Sequence, residues 1–177
     1  MSKAVLISIR PEWCQKIMAG RKTIEVRKTR PKMNPPFKCY IYRSVQGGVI
    51  GEFVCDHIFE RIVRVGAICE APKYCICDWN MDCTPLDTLL ADACLTKDEL
   101  EKYLDGGVGY GWHISNLKIY DTPKELIEFH TWKKCKSCNK SGYESTACIY
   151  DENCIIPAAI TKAPQSWCYV EEEIWND

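Results

Sequence analysis

The residues of this chain that are best suited to chemistry lie together at positions 20–27. They read GRKTIEVR, a pattern of the form G-x-K-x-x-E-x-R. Successive side chains of a β-strand point to opposite faces, so Glu25 and Arg27 share one face while Val26 points into a core. Lys22 stands at the start of this strand, directly after a turn. Two cations around one carboxylate suit a site that binds a polar, phosphate-bearing ligand and orients it through the carboxylate.

The neighbouring segments predict the elements that position these side chains. Residues 4–9 read as a buried strand, and Pro11 then opens a helix that closes at Gly20. Trp13 and Met18 lie on the apolar stripe of that helix. The rest of the pattern predicts strands over 37–42, 49–62, 112–120 and 166–175. It also predicts a helical region over 84–104 with a capping box at 96–99, and a short helix over 122–129. Residues 106–111 are expected to form a flexible glycine-rich connection.

This order of elements predicts an α+β fold, namely a small mixed β-barrel flanked by helices. A chain of 177 residues can bury a sizeable core, so we expect a single domain over residues 1–177. Residues 131–156 are polar and rich in cysteine, and they are expected to form an insertion within that domain.

The charge of the chain is unevenly distributed along it. Residues 1–64 carry 13 Lys and Arg against 5 Asp and Glu, whereas the remainder carries 10 against 19. Residues 21–32 alone hold six basic side chains and one carboxylate. Such a basic patch on an acidic body favours a polyanionic partner, although a solvated surface would give the same pattern. The chain has no apolar run of membrane-spanning length and no signal peptide, so no membrane partner and a cytoplasmic location are expected.

Two kinds of pattern occur among the thirteen cysteines. Cys39, Cys55 and Cys168 lie in apolar strand-like contexts, where reduced thiols pack as small hydrophobic groups. The insertion contains Cys135, Cys138, Cys148 and Cys154, whose spacing predicts a four-cysteine structural zinc site, with His130 as an alternative ligand. A reduced loop or a redox-labile pair is the other interpretation. No organic cofactor is expected.

Residues 5–27, with their strand, helix and G-x-K-x-x-E-x-R pattern, resemble the ASCH domain, a branch of the PUA-like barrels. Residues 112–115 and 165–169 are also similar to strands of this group. The resemblance implies a cleft lined by the motif strand that binds RNA or a modified nucleoside, with Lys22, Glu25 and Arg27 at its centre.

The resemblance also implies a possible enzyme. Some ASCH-like proteins hydrolyse N4-acetylcytidine with a Lys and a Thr of this motif, and others are ribonucleases. Lys22 matches the Lys, but Glu25 stands at the position of the nucleophilic Thr. A carboxylate cannot be activated as a hydroxyl can, so Glu25 would instead act as a general base beside Lys22. Whether the chain catalyses a reaction stays open.

Further ligand contacts are predicted around the motif. Trp13 is a candidate for base stacking, although an aromatic residue in this position is more often part of a core. His113 is a candidate cleft residue. The remaining candidates are basic residues for backbone affinity: Arg10, Arg21, Lys28, Arg30 and Lys32. A third interpretation is a protein-interaction module, in which the Cys-rich insertion captures a protein partner.

Overall fold

A computed structural model of the protein describes residues 3–64, 74–77, 83–84, 86–134 and 155–172. The fold is mixed α and β and consists mostly of strands, as the sequence predicts. The described strands form two five-stranded sheets and a two-stranded ribbon. No helix among the described residues is long and apolar enough to cross a lipid bilayer.

The first sheet contains the N-terminal strand near its centre. In spatial order its strands are β12 (Trp167–Glu171), β1 (Lys3–Ile9), β3 (Phe37–Arg43), β4 (Val49–Cys55) and β9 (Ser115–Lys124). Strand β1 runs parallel to β3 and antiparallel to β12.

Strand β1 is apolar on both faces because both faces are covered. Val5 and Ile7 pack into one hydrophobic cluster, and Ala4 and Leu6 pack into another on the opposite side. All four side chains are fully buried. A continuous apolar run rather than an alternating one is what such a strand requires.

The second sheet carries the motif strand at one edge. In spatial order its strands are β2 (Ile24–Arg27), β8 (Gly109–His113), β5 (Ile58–Arg64), β6 (Tyr74–Cys77) and β7 (Cys83–Thr84). Helices α2 (Leu86–Ala93) and α3 (Lys97–Leu104) pack against it through a separate hydrophobic cluster. The predicted capping box is confirmed at the start of α3, where Thr96 and Glu99 exchange hydrogen bonds.

Helix α1 (Pro11–Met18) leads directly into the motif. Its end is a Schellman turn, in which the Gly20 amide donates to the Ile17 carbonyl and the Arg21 amide donates to the Lys16 carbonyl. Gly20 has a φ of +67°, a conformation that glycine adopts without the penalty of a Cβ atom. This turn fixes the position of Lys22, two residues before β2 begins. Met18, expected on the buried stripe of α1, is instead half exposed.

Several predicted boundaries were wrong. The expected strand over 49–62 is two strands, β4 and β5, which belong to different sheets and are linked by Asp56 and His57. The strand expected over 112–120 is likewise divided between β8 and β9. Gly109 and Gly111 lie inside β8 rather than in a flexible connection.

The predicted helix over 122–129 was also mostly wrong, because β9 continues to Lys124 and only a short 3-10 helix (Leu126–Glu128) follows. Strand β9 lies at the edge of its sheet, so it has a neighbouring strand on one side only. Pro123 has no N–H to donate, and such a residue is tolerated in an edge strand.

The described sheets are open rather than closed. Strands β12 and β9 are the edges of the first sheet, and β2 and β7 are those of the second, so no closed barrel is formed by the described strands. The ribbon consists of β10 (His130–Lys134) and β11 (Ile155–Ala159). It holds the two ends of the Cys-rich segment, whose residues 135–154 lie outside the described residues.

The cysteines of the described chain confirm the prediction of reduced thiols. Cys39 and Cys55 are free and fully buried, and Cys168 is free and half-buried. Burial raises the pKa of all three thiols, that of Cys55 to about 12. These side chains therefore serve as small hydrophobic groups.

Candidate ligand-binding cleft

A cleft of about 880 Å³ opens beside the motif strand. Four parts of the chain line it in addition to β2. They are the junction of β1 with α1, the turn between β3 and β4, helix α3 together with Leu95, and residues 163–166. Its size is within the range of pockets that bind small molecules and cofactors.

The charged residues of the motif form a buried ion triad in this cleft, defined here as Lys22, Glu25 and Arg27. The Lys22 Nζ atom lies 3.2 Å from Glu25 Oε2, and an Nη atom of Arg27 lies 3.1 Å from Glu25 Oε1. The three residues are only 3%, 7% and 8% exposed. The predicted arrangement of two cations around one carboxylate is therefore present, but it is buried rather than on a solvated surface.

The contacts of Lys22 use its hydrogen-bonding capacity within the protein. Besides the Glu25 carboxylate, its ammonium group donates to the Ala93 carbonyl at 2.8 Å. Ala93 is the last residue of α2, where the helix dipole favours a cation. The Trp13 ring lies on another side, with its centroid 5.1 Å from Nζ. Lys22 is thus held from three directions.

Arg27 is held through both of its Nη atoms. One Nη atom donates to the Ser8 carbonyl at 2.6 Å as well as to Glu25, and the other contacts Ser166 Oγ at 3.4 Å. Its Nε atom is buried and has no hydrogen-bond partner among the described residues. Since buried polar atoms are normally paired, this unpaired N–H is an exception within the site.

Two aromatic rings face the same cleft. Trp13 lies under the ammonium groups of Lys22 and Lys16, the latter 4.3 Å from the ring centroid. Tyr103 reaches the cleft from α3. Burial raises the pKa of the Tyr103 hydroxyl, and the nearby Arg27 guanidinium opposes that shift. Aromatic faces beside cationic groups suit the stacking of a planar base.

The structure brings together about half of the ligand-binding residues predicted from the sequence. Those that line the cleft are Arg10, Trp13, Lys22, Glu25 and Arg27. Those that do not line it are Arg21, Lys28, Arg30, Lys32 and His113.

The second group occupies other positions. The Lys28 ammonium lies 5.5 Å from the Tyr103 ring, and therefore near the rim of the cleft. The backbone amide of Lys32 donates to the Tyr169 hydroxyl. His113 Nδ1 lies 2.6 Å from an Asp56 carboxylate oxygen at the link between the sheets.

Sequence reasoning missed the parts of the cleft that come from distant segments. Tyr42 and Val45 from the β3–β4 region and Lys102 and Tyr103 from α3 all line it. Tyr103 follows Leu100 at the three-residue spacing typical of a buried helix face, yet it is 40% exposed. No local pattern distinguishes such a residue from a core residue.

No cluster of three or more potential metal ligands occurs within the described parts of the chain. Cys135, Cys138, Cys148 and Cys154 all lie outside those parts, so the zinc site stays a prediction.

Comparison with known proteins agrees with the resemblance seen in the sequence. Residues 7–80 match the ASCH domain. The fold is similar to crystal structures of the ASCH protein from Zymomonas mobilis and of two of its single-residue variants, with TM-scores of 0.55–0.56 at 16% sequence identity. These alignments cover 96% of this chain and 88–91% of the other. No curated protein sequence is significantly similar to this chain.

Proposed function

Since the chain has the fold of an ASCH protein, a PUA-like type, we propose that its cleft binds RNA or a modified nucleoside. One observation carries this proposal most strongly: a buried ion triad shares a cleft with two aromatic rings and leaves one arginine N–H unpaired. These groups supply base stacking and directed hydrogen bonding in one place.

The triad divides the tasks of binding between its members. Glu25 orients Arg27 by accepting a hydrogen bond from its guanidinium group. Arg27 then presents its guanidinium group to a phosphate or to an acceptor on a base edge, which a planar guanidinium does with more directional specificity than an ammonium. The exposed basic residues outside the cleft, such as Lys28 and Lys32, contribute salt-dependent attraction to the RNA backbone.

A hydrolase is the second candidate, and the contact between Lys22 and Glu25 favours it. In this reaction Glu25 would act as the general base on a water in the cleft, with the Lys22 ammonium 3.2 Å from its carboxylate. Turnover of N4-acetylcytidine or of RNA that is abolished in Glu25→Gln and Lys22→Ala would establish this activity. If the purified protein leaves both kinds of substrate intact, the cleft binds without catalysis.

The binding proposal is tested by fluorescence anisotropy with labelled single-stranded and structured RNAs at two salt concentrations. We expect Arg27→Lys to weaken binding markedly, because a lysine keeps the charge but cannot reproduce the guanidinium geometry. Lys162→Ala is a matched control, since Lys162 is basic and exposed but does not line the cleft. Circular dichroism would confirm that each variant is folded.

Equal affinity of Arg27→Lys and the wild-type protein would contradict the assigned role of Arg27. No binding of any RNA by the wild-type protein would refute the RNA form of the proposal. Titration with modified nucleosides would then decide whether the small-ligand form holds.

A further inference from the structure

We infer that the ligand-binding cleft continues past Tyr42 into a second cavity, and that the two together hold at least two consecutive nucleotides of one RNA strand. This inference rests on the proposed function and narrows its ligand from a free nucleoside to an oligonucleotide. It comes from the fold, because the G-x-K-x-x-E-x-R pattern contributes residues to the cleft and not to the second cavity.

The second cavity has a volume of about 590 Å³, which is within the range of small-molecule pockets. It is bounded by the end of β3, the turn that precedes β4, the end of β9, the 3-10 helix and the residues after β11. Its larger apolar or aromatic side chains are Tyr42, Pro123, Leu126, Ile127 and Ile160.

Three parts of the chain connect this cavity with the cleft. Tyr42 lines both of them. The turn between β3 and β4 passes from one to the other, since Ser44 and Val45 line the cleft and residues 46–48 line the second cavity. The segment after β11 does the same, with residues 160–161 in the second cavity and residues 163–166 in the cleft. A ligand chain that follows the turn therefore passes from one cavity into the other along the protein surface.

The turn between the cavities is strained at Val45. The Gln46 amide donates to the Ser44 carbonyl at 2.8 Å, and Val45 between them has a φ of +70°. This geometry is the rarer and strained form of the γ-turn, and a β-branched side chain is especially unfavourable in it. Val45 is 95% exposed, so burial of its side chain does not offset the strain.

Hydrogen bonds on both sides hold the turn in this conformation. Ser44 donates to the Ile9 carbonyl through its amide at 2.9 Å and through its hydroxyl at 3.1 Å. The Gly47 amide donates to the Arg43 carbonyl at 3.0 Å. Strain that the surrounding structure maintains in this way clusters at ligand-binding segments. We therefore assign Val45 an apolar contact with the ligand where it passes between the cavities.

The second cavity suits a base rather than a phosphate. Its carboxylate, Glu125, already accepts a hydrogen bond from the Glu128 amide. The Tyr42 ring offers a stacking surface, and the Gln46 amide and the Thr161 hydroxyl can bond to a base edge.

The charge of the cleft makes it the better place for the phosphate that links two nucleotides. Four of its lining side chains are basic and two are acidic, namely Arg10, Lys22, Arg27, Lys102, Glu25 and Glu99. An oligonucleotide would then place one base beside Trp13 or Tyr103 and the next base beside Tyr42.

The test is a protein-observed NMR titration with the four ribonucleoside 5′-monophosphates and with the di- and trinucleotides of the same bases. We expect the monophosphates to shift the amides of Ser44 and Val45, and the longer RNAs to shift those of Gly47, Gly48 and Ile127 as well. The longer RNAs should bind roughly tenfold more tightly, because a second base is stacked. This gain should persist at higher salt, since stacking does not depend on counterion release.

Two variants locate the gain. Thr161→Trp places a large side chain in the second cavity, so it should remove the gain and leave the affinity for monophosphates unchanged. Lys162→Trp is the matched control, because Lys162 is the exposed neighbour and lines neither cavity. Val45→Gly should weaken binding of the longer RNAs without lowering the thermal midpoint of unfolding, because glycine adopts a positive φ without strain.

The outcomes separate this inference from the proposed function. Trinucleotides that bind no more tightly than monophosphates would overturn the two-cavity groove and leave the proposed function intact. An equal loss of the gain in Thr161→Trp and Lys162→Trp would also overturn it, because the second cavity would not be its source. Failure of every nucleotide and RNA to bind would refute the proposed function and this inference with it, and an extended peptide that shifts the amides of both cavities would then assign the groove to a protein partner.

Discussion

Lys22 and Arg27 carry the same charge and contact the same carboxylate, yet their remaining donors are used differently. Lys22 is engaged by a carboxylate, a helix-terminal carbonyl and an aromatic ring. Arg27 keeps one buried N–H unpaired among the described residues. We therefore assign Lys22 a positioning role and Arg27 the direct contact with the ligand.

Replacement of Lys22 is expected to lower stability strongly. In Lys22→Met, Glu25 loses one of its two cations and the Ala93 carbonyl loses its donor, so the free energy of unfolding should fall by about 3 kcal/mol. Lys16→Met is the matched control, because Lys16 also lies over Trp13 but is less buried and contacts the Cys94 carbonyl at only 3.5 Å. Urea denaturation of both variants measures the difference, and equal losses would contradict the special role of Lys22.

For single residues, the sequence predicted the contacts that follow from the alternation of side chains along a strand. Glu25 and Arg27 share a face because they are two residues apart in a strand. The contact between Lys22 and Ala93 spans 71 positions and has no local signal. The burial of the triad was likewise not predictable, because it depends on α2 and α3 packing over the second sheet.

At the scale of elements, α3 forms one wall of the cleft and depends on its capping box. Thr96→Ala removes the side-chain acceptor for the Glu99 amide and should lower the free energy of unfolding by about 1 kcal/mol. Thr161→Ala is a control, because Thr161 is exposed and lies outside any helix. Chemical denaturation measures both, and a loss in Thr96→Ala no larger than in the control would show that the cap does not stabilise the fold.

The Cys-rich segment yields a second prediction at this scale. Lys134 and Ile155 are partners at the end of the β10–β11 ladder, and the four cysteines of the predicted site lie between them in the chain. We expect the protein to bind about one equivalent of zinc. Elemental analysis should show loss of this zinc in Cys138→Ser and retention in Cys168→Ser, since Cys168 packs within the first sheet. Less than one equivalent in zinc-replete protein would contradict a four-cysteine site.

Elements were predicted well where propensity and burial agree, and poorly where the fold overrides local pattern. Strand β1, helix α1 and the cap of α3 follow from short-range signals. The glycines of β8 suggested a flexible connection, but the missing side chains allow close packing instead. A Cβ on Gly109 would approach Leu104 to 2.9 Å, and one on Gly111 would approach Ile24 to 3.1 Å.

At the scale of the whole molecule, buried thiols predict how stability varies with pH. Burial is the main reason that the pKa of Cys14 rises to about 11 and that of Cys55 to about 12, from an ordinary value of 9.0. Above pH 9 the unfolded chain loses these protons while the native protein keeps them, so stability is complete below pH 9 and falls as the pH rises. The expected slope is about 1.4 kcal/mol per pH unit for each such thiol.

Urea denaturation at pH 8, 9 and 10 would measure this slope. Cys55→Ala should make it shallower, since one titrating group is removed. An unchanged slope in Cys55→Ala would show that this thiol ionises as readily in the native protein as in the unfolded chain.

The guanidinium group of Arg27 joins the two sheets, because it binds the Ser8 carbonyl of β1 and the Glu25 carboxylate of β2 through the same nitrogen. The cleft and the joint between the sheets therefore share a residue. A ligand that pairs with Arg27 and binds only the folded protein stabilises this joint, and the folded state with it, by mass action. Occupancy would be recorded along the whole length of both strands, beyond the residues that line the cleft, as slower amide hydrogen exchange.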